Sequence, residues 1–169
     1  MKNDYKQQIL PLKLRPANNR DDFVVGASNN EAVTWIDKYP VWENNAFVIV
    51  GPRSSGKSHL ASVWQKKSQC IILDHKDIDN EKIDAIESQN LVIEDIDLIK
   101  NHKYMLHIIN IKKENRNKLL LTSSKKINNL NIKLDDLKSR LLAFPKANIL
   151  LPTDDVLQGI TYKLFKNKG

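Results

Sequence analysis

Ala46-Phe47-Val48-Ile49-Val50-Gly51-Pro52-Arg53-Ser54-Ser55-Gly56-Lys57-Ser58 joins an apolar run to a turn-rich loop and the start of a helix. The first five residues are apolar and of strand length, as in a strand buried on both faces. Gly, Pro and Ser then break the run. His59-Leu60-Ala61-Ser62-Val63-Trp64 continues as the first turns of a helix. Gly51 to Ser58 fits G-x-x-x-x-G-K-[ST] at every fixed position. Strand, glycine-rich loop and helix N-terminus, in that order, let backbone N–H groups converge on phosphate oxygens. The pattern assigns the phosphate cradle to Gly51, Ser54, Ser55 and Gly56, with His59 next along the helix. It sends Lys57 to the β- and γ-phosphates and the Ser58 hydroxyl to Mg²⁺. The competing interpretation, a chance glycine-rich turn, lacks a reason for the strand and helix around it.

Outward from this stretch, short apolar runs alternate with helical patterns. Strands are expected at 46–50, 70–73, 91–94, 118–122 and 147–151. Helices are expected at 28–38, 57–67, 81–88, 101–113 and 134–142, the first with Ser28 as its cap. A last helix starts at Thr153, with Val156, Leu157, Ile160, Leu164 and Phe165 as its apolar face. Continuous apolar strands between helices imply an α/β fold, a mainly parallel sheet covered on both faces. Residues 1–20 read as an extended segment because Pro11 and Pro16 oppose a helix. Residues 21–151 then form the nucleotide-binding domain, and residues 152–169 begin a further helical unit.

The chain has 169 residues, 41% hydrophobic and 28% charged, within the range of a soluble single domain. No apolar run approaches the roughly 20 residues of a membrane span, and the N-terminus lacks a signal-peptide core. One cysteine, Cys70, excludes an internal disulfide and agrees with a cytoplasmic location. Cys70 is expected to be buried and inert. The net charge of +7 is uneven: residues 1–40 carry +1, residues 41–100 carry −3 and residues 101–169 carry +9. A basic C-terminal half suits a nucleic-acid or acidic-protein partner. Scattered lysines on solvated faces are the favoured explanation, since 22 of the 27 basic residues are lysine.

Three further patterns bear on a nucleotide site. Leu91-Val92-Ile93-Glu94-Asp95 is a strand ending in two acids, as in a Walker B element. One carboxylate there holds Mg²⁺, usually through water, and the next positions the attacking water. Lys118-Leu119-Leu120-Leu121-Thr122-Ser123-Ser124 is a strand ending in hydroxyls. Thr122 or Ser123 either senses the γ-phosphate or caps the strand end. Arg140, in Leu137-Lys138-Ser139-Arg140-Leu141, either satisfies helix-terminal carbonyls or reaches a nucleotide on a neighbouring subunit.

Together these residues resemble the AAA+ ATPases, and within them the DnaA/Hda family, most of all its alphaproteobacterial Hda-type members. Asp22-Phe23-Val24-Val25-Gly26-Ala27-Ser28-Asn29 resembles the family's F-V-V-G-x-x-N box, which wraps the adenine. Leu106-His107-Ile108-Ile109-Asn110 is similar to its F-H-x-x-N helix, and Leu121-Thr122-Ser123 to its sensor 1 strand. Leu137 to Leu141 resembles its L-x-S-R-[FL] box, and Pro152-Thr153-Asp154-Asp155 the start of its lid. The resemblance implies ATP or ADP with Mg²⁺ as cofactors. It places Phe23, Val24 and Val25 around the base, Glu94 and Asp95 at the metal and water, and Arg140 as a finger acting in trans. Gln7-Gln8-Ile9-Leu10-Pro11-Leu12 is similar to the family's Q-L-x-L-P-L peptide for the DNA polymerase sliding clamp, with Gln8 where Leu is usual. Gln7, Gln8, Leu10, Pro11 and Leu12 are therefore its partner-binding candidates; a short flexible leader is the alternative.

This sequence departs from the family pattern in three places. Glu94 stands at the usual Mg²⁺-side Asp. The sensor 2 arginine has no counterpart, and with the lid mostly missing the crevice is expected to lose a wall. The function so implied is regulation of replication initiation, with the initiator DnaA and the sliding clamp as partners and weak or partner-dependent hydrolysis. DNA is an indirect partner and a homo-oligomer is compatible. The alternatives are an autonomous small P-loop ATPase or kinase, and a replication-linked DNA-binding AAA+ protein.

Overall fold

The computed structural model describes residue 20, residues 23–79 and residues 88–166. Its elements run α1 (Asn30–Asp37), β1 (Ala46–Val50), α2 (Lys57–Ser68), β2 (Ile71–Leu73), α3 (His75–Asp79) and β3 (Leu91–Ile93). They continue with α4 (His102–Glu114), β4 (Leu119–Ser123), α5 (Asp135–Ala143), β5 (Lys146–Asn148) and α6 (Asp154–Lys166). The five strands form one sheet in the order β2-β3-β4-β1-β5, and every pairing is parallel.

The pleat divides the core into two layers. Phe47, Ile49, Val92 and Leu120 face α1 and α2, where Ile36, Leu60 and Trp64 are fully buried. Val48, Leu91, Ile93, Leu119 and Leu121 face Ile78 of α3, Met105 and Ile108 of α4, and Leu137 of α5. All five residues of β1 and of β4 are buried, which is why both read as largely apolar runs. Truncating a fully buried leucine such as Leu60 to alanine removes about 2–5 kcal/mol of stability.

This topology positions the site. The chain leaves β1 through α2 and passes β4 and β3 to reach β2, whereas it leaves β4 through α5 and passes β1 to reach β5. Neighbouring strands thus send their connections in opposite directions, which opens a crevice at their C-terminal ends. The segments after β1, β3 and β4 all emerge on that edge.

The structure revises several boundaries. α1 starts at Asn30, so Asn29 and not Ser28 is its N-cap residue. β5 ends at Asn148, leaving Leu150 and Leu151 exposed. Strand structure begins at Ile71, one residue after Cys70, whose burial pushes the thiol pKa up. α3 was not expected. The helix expected at 81–88 falls almost wholly outside the described residues, as does the segment bearing Gln7 to Leu12.

Candidate functional site

The loop after β1 has no room for side chains at its first glycine. A β-carbon on Gly51 would stand 2.5 Å from the Ile149 carbonyl and 2.8 Å from Ser55 Oγ. The Gly51 amide donates to the Ser123 carbonyl at 3.0 Å, which ties the loop to β4. Gly56 has φ +102°, a left-handed conformation that glycine adopts without steric cost, and it leads directly into α2. Lys57 is 7% exposed, and its Nζ donates to the carbonyls of Gly51 at 2.8 Å and Pro52 at 2.9 Å. Burial lowers its pKa, while the carboxylates of Asp95, Asp97 and Glu94 pull it back up. The ammonium group therefore lies across the loop, close to three acids. Ser55 Oγ is buried with no hydrogen-bond partner among the described residues. Such a group costs about 1–3 kcal/mol until a partner reaches it, so the loop is built for a further acceptor or donor. Ser58, in the first turn of α2, is exposed.

β3 and β4 deliver carboxylates and hydroxyls to the same edge. Asp95 takes φ +52°, and its amide donates to Thr122 Oγ1 at 3.1 Å. That bond sets the first acidic turn against the end of β4, with Thr122 itself 1% exposed. Glu94 donates its amide to the Leu73 carbonyl at 2.8 Å, and its Oε1 is buried without a hydrogen-bond partner among the described residues. Asp97, in a short 3₁₀ turn over Ile96–Leu98, accepts from the Ser124 amide at 2.9 Å, from Ser124 Oγ and from Ser123 Oγ at 3.3 Å. Burial pushes its pKa up, but the Ser124 hydroxyl and amide outweigh that and hold the carboxyl below its usual value. Ser123 is fully buried, and its hydroxyl also donates to the Lys125 carbonyl at 2.7 Å.

Beside the loop lies a cavity of about 220 Å³, bounded by three pieces of chain. Phe23, Val24, Ser28 and Asn29 form one side, Ser54 to Gly56 with His59 form the floor, and Val156, Ile160 and Lys163 of α6 form the roof. The Asn29 side chain folds the first piece by accepting from the Gly26 amide at 3.0 Å and donating to the Val24 carbonyl at 2.9 Å. Phe23 meets His59 edge to face, with ring centroids 5.0 Å apart. α6 docks through two glycines: Val156 fills the space at Gly26, and Val24 lies 2.8 Å from where a β-carbon on Gly159 would be. A mostly apolar cavity with a few polar groups at one end suits a flat heterocycle attached to a polar tail.

The structure thus gathers Phe23, Val24, Ser54, Ser55, Gly56 and His59 around one cavity, with Lys57, Glu94, Asp95, Thr122 and Ser123 beside it. Val25 is 41% exposed and does not line the cavity. Arg140 lies on α5, on the opposite face of the sheet from α2; its Nε donates to Asp136 Oδ1 at 3.2 Å, and it lines a shallow surface hollow with Asn110, Lys113 and Glu114. α6, the helix expected to begin the lid, supplies one side of this cavity. Its cavity-facing residues are Val156, Ile160 and Lys163, with Ile160 still 40% exposed, whereas Leu157 and Phe165 of the expected apolar face are 47% and 71% exposed and do not line the cavity. Asn29 was expected as the end of the adenine box, whereas sequence reasoning left out Asp97, Ile160 as a cavity residue and Lys163. The spacing of Val156, Ile160 and Lys163 at i, i+4 and i+7 was the available signal for the last two.

No protein-family model and no curated protein matches the sequence. Solved structures do match by shape. AMPPCP-bound DnaA from Aquifex aeolicus superposes with a TM-score of 0.77 at 21% identity, covering 91% of this chain and 56% of that one. Domain III of the Thermotoga maritima replication initiation protein DnaA gives 0.77 at 18% identity, covering 92% and 76%. A putative primosome component from Streptococcus pyogenes gives 0.64 at 18% identity, covering 83% and 90%. The chain spans little more than half the length of the Aquifex aeolicus protein. With its five parallel strands between two helical layers and α6 as the first helix beyond the sheet, this chain has the AAA+ fold of DnaA domain III.

Proposed function

We propose that this chain binds ATP or ADP and acts as a DnaA/Hda-like regulator of chromosomal replication initiation. The carrying observation is the cavity enclosed by Phe23–Asn29, the phosphate loop and α6, with Lys57 and the unsatisfied Ser55 hydroxyl at its phosphate end. The base enters against Phe23, Val24 and Ile160, and the phosphates extend over Ser54–Ser58. Lys57 exchanges its two carbonyl acceptors for phosphate oxygens. The likeness to an AMPPCP-bound DnaA supports a nucleotide as the ligand.

Ser58 and Glu94 would hold Mg²⁺, which neutralises phosphate charge when bound. The buried Glu94 Oε1, without a hydrogen-bond partner among the described residues, and the exposed Ser58 fit that role. Among the described residues no group of three His, Cys, Asp or Glu side chains is arranged to hold a metal, so the ion would rely on phosphate oxygens and water. Asp95 and Thr122 are the residues proposed to orient water.

Arg140 acts outside its own site. Its Nε is anchored by Asp136, which leaves the two terminal nitrogens in the fork geometry that suits a phosphate. We assign it to the nucleotide of a partner initiator, with Gln7–Leu12 as the tether to the sliding clamp. The test mixes clamp-loaded DNA, ATP-bound DnaA and this protein, and follows phosphate release. Wild type accelerates release and Arg140→Ala does not; equal stimulation by the variant removes the finger role.

One observation favours a second assignment, a DNA-binding AAA+ protein. Lys100, His102, Lys125 and Lys133 line a cavity of about 580 Å³ together with Asn129 and Asn131, with Asp97 as the one acid among its lining residues. Single-stranded DNA binding that weakens steeply with salt would support it.

A further inference from the structure

Asp97 belongs to the turn after β3 and lies against Ser123 and Ser124; it lines the cavity of about 580 Å³ but not the one beside the phosphate loop. Two tethers join the segment after β3 to the C-terminal end of β4 and the residue that follows it. The first is the bond from the Asp95 amide to Thr122 Oγ1 at 3.1 Å. The second is the Asp97 carboxylate, which takes the Ser124 amide on one oxygen and the Ser124 hydroxyl on the other. Bonds to an ionised carboxylate are shorter and stronger than neutral ones, so this two-point grip is the stiffer tether.

Ser123 connects that grip to the phosphate loop. Its carbonyl accepts from the Gly51 amide at 3.0 Å, and its hydroxyl reaches Asp97 Oδ1 at 3.3 Å and the Lys125 carbonyl at 2.7 Å. Any shift of Gly51 therefore pulls on Ser123, and any shift of Ser123 or Ser124 pulls on Asp97, two residues from Asp95. Asp95 itself sits at φ +52°, a left-handed conformation uncommon outside glycine and more accessible to aspartate than to most other residues.

We propose that Asp97 is the positioning residue that couples the occupancy of the phosphate loop to the setting of the Asp95 turn, through Ser123 and Ser124. This rests on the nucleotide-binding assignment above. A simpler role exists for the same carboxylate: it braces the Ile96–Leu98 turn and nothing more. The two differ in what happens when nucleotide binds. A brace affects stability alone, whereas a coupler carries a signal from residues 51–58 to residues 94–98 and 122–125.

Hydrogen exchange read by mass spectrometry, with and without ADP, separates them. In wild type, ADP slows exchange about tenfold in residues 51–58 and also in 94–98 and 122–125. Asp97→Asn keeps the size but loses the charge and one acceptor. It is expected to bind ADP within about threefold of wild type, to keep the slowing at 51–58 and to lose it at the two distant segments. Ser124→Ala removes one of the two grips from the other side and should give the same pattern, which covers the case in which Asp97→Asn fails to fold. Protection of all three segments in either folded variant overturns the coupling while leaving the binding site standing. Absence of ADP binding to folded wild type overturns the nucleotide assignment and this inference together.

Discussion

A methyl group of Val156 occupies the space where a β-carbon on Gly26 would stand, so α6 rests directly on the backbone of the segment that walls the cavity. Gly26 adopts no unusual φ here; its lack of a side chain is used for close approach. Gly26→Ala must displace Val156 and with it the roof formed by Ile160 and Lys163. Overpacking of this kind costs about 1–3 kcal/mol. The account expects nucleotide affinity to fall about tenfold or more, with a smaller change in thermal stability because the sheet is untouched. Val156→Ala in the same chain should restore part of the affinity. Fluorescent-nucleotide titrations of the two single variants and the double variant measure this coupling. Strictly additive effects would separate Gly26 from the roof.

Lys112 gives the protein a pH signature unrelated to its nucleotide. It lies on α4 with its side chain fully buried, and its Nζ donates to the Gln89 carbonyl at 2.5 Å. Burial lowers its pKa to about 8, against an ordinary value of 10.5. Between these values the unfolded chain binds more protons than the folded one, so stability contributed by this group rises with pH across that window. Below about pH 8 the cost of burying the charge is present in full. Lys112→Met removes the titration. Urea unfolding at pH 7 and pH 10 should therefore show wild type gaining relative to the variant at the higher pH. Parallel pH profiles would place the ammonium in a site that already satisfies its charge.

Most of the fold was legible because its signals are local. β1 and β4 are largely apolar runs, and the Gly51–Ser58 pattern fixes the strand-to-helix junction between β1 and α2. α3 escaped because only five residues, His75–Asp79, are helical and its start depends on a small reciprocal cap. Asp74 Oδ1 accepts from the Lys76 and Asp77 amides while Asp77 Oδ2 accepts from the Asp74 amide. The Ser28 cap was misplaced because Asn29, next to it, uses its side chain on Gly26 and Val24 instead of on the helix. The roof of the cavity was illegible for another reason. Which side of α6 faces inward is decided by Gly26 and Gly159, two absences of side chain whose partners lie about 130 residues apart in the sequence. Asp97 carries no pattern of its own in the sequence; its hydrogen bonds run to Ser123 and Ser124, a serine pair at the end of the neighbouring strand.

Arg140 is expected to matter little to folding. Its pairing with Asp136 is an i,i+4 contact with both side chains partly exposed, 32% and 56%. Such pairs contribute about 0.3–0.5 kcal/mol, so Arg140→Ala should shift the melting temperature by only about 1–2 °C. Differential scanning calorimetry checks this. A loss of many degrees would mean that the guanidinium has a structural task within this chain and would weaken its assignment to a partner's nucleotide.

The central claim is that the cavity beside Gly51–Ser58 takes a nucleoside phosphate. Calorimetric titration of the folded protein with ADP and ATP, with and without Mg²⁺, tests it most directly, with Lys57→Ala as the paired variant. The account predicts saturable one-to-one binding by wild type and a loss of about 100-fold or more in the variant, the effect of removing a charged hydrogen bond of about 3 kcal/mol. Folded wild type that releases no heat and gains no thermal stability with either nucleotide, or a Lys57→Ala variant that binds as tightly as wild type, would contradict it.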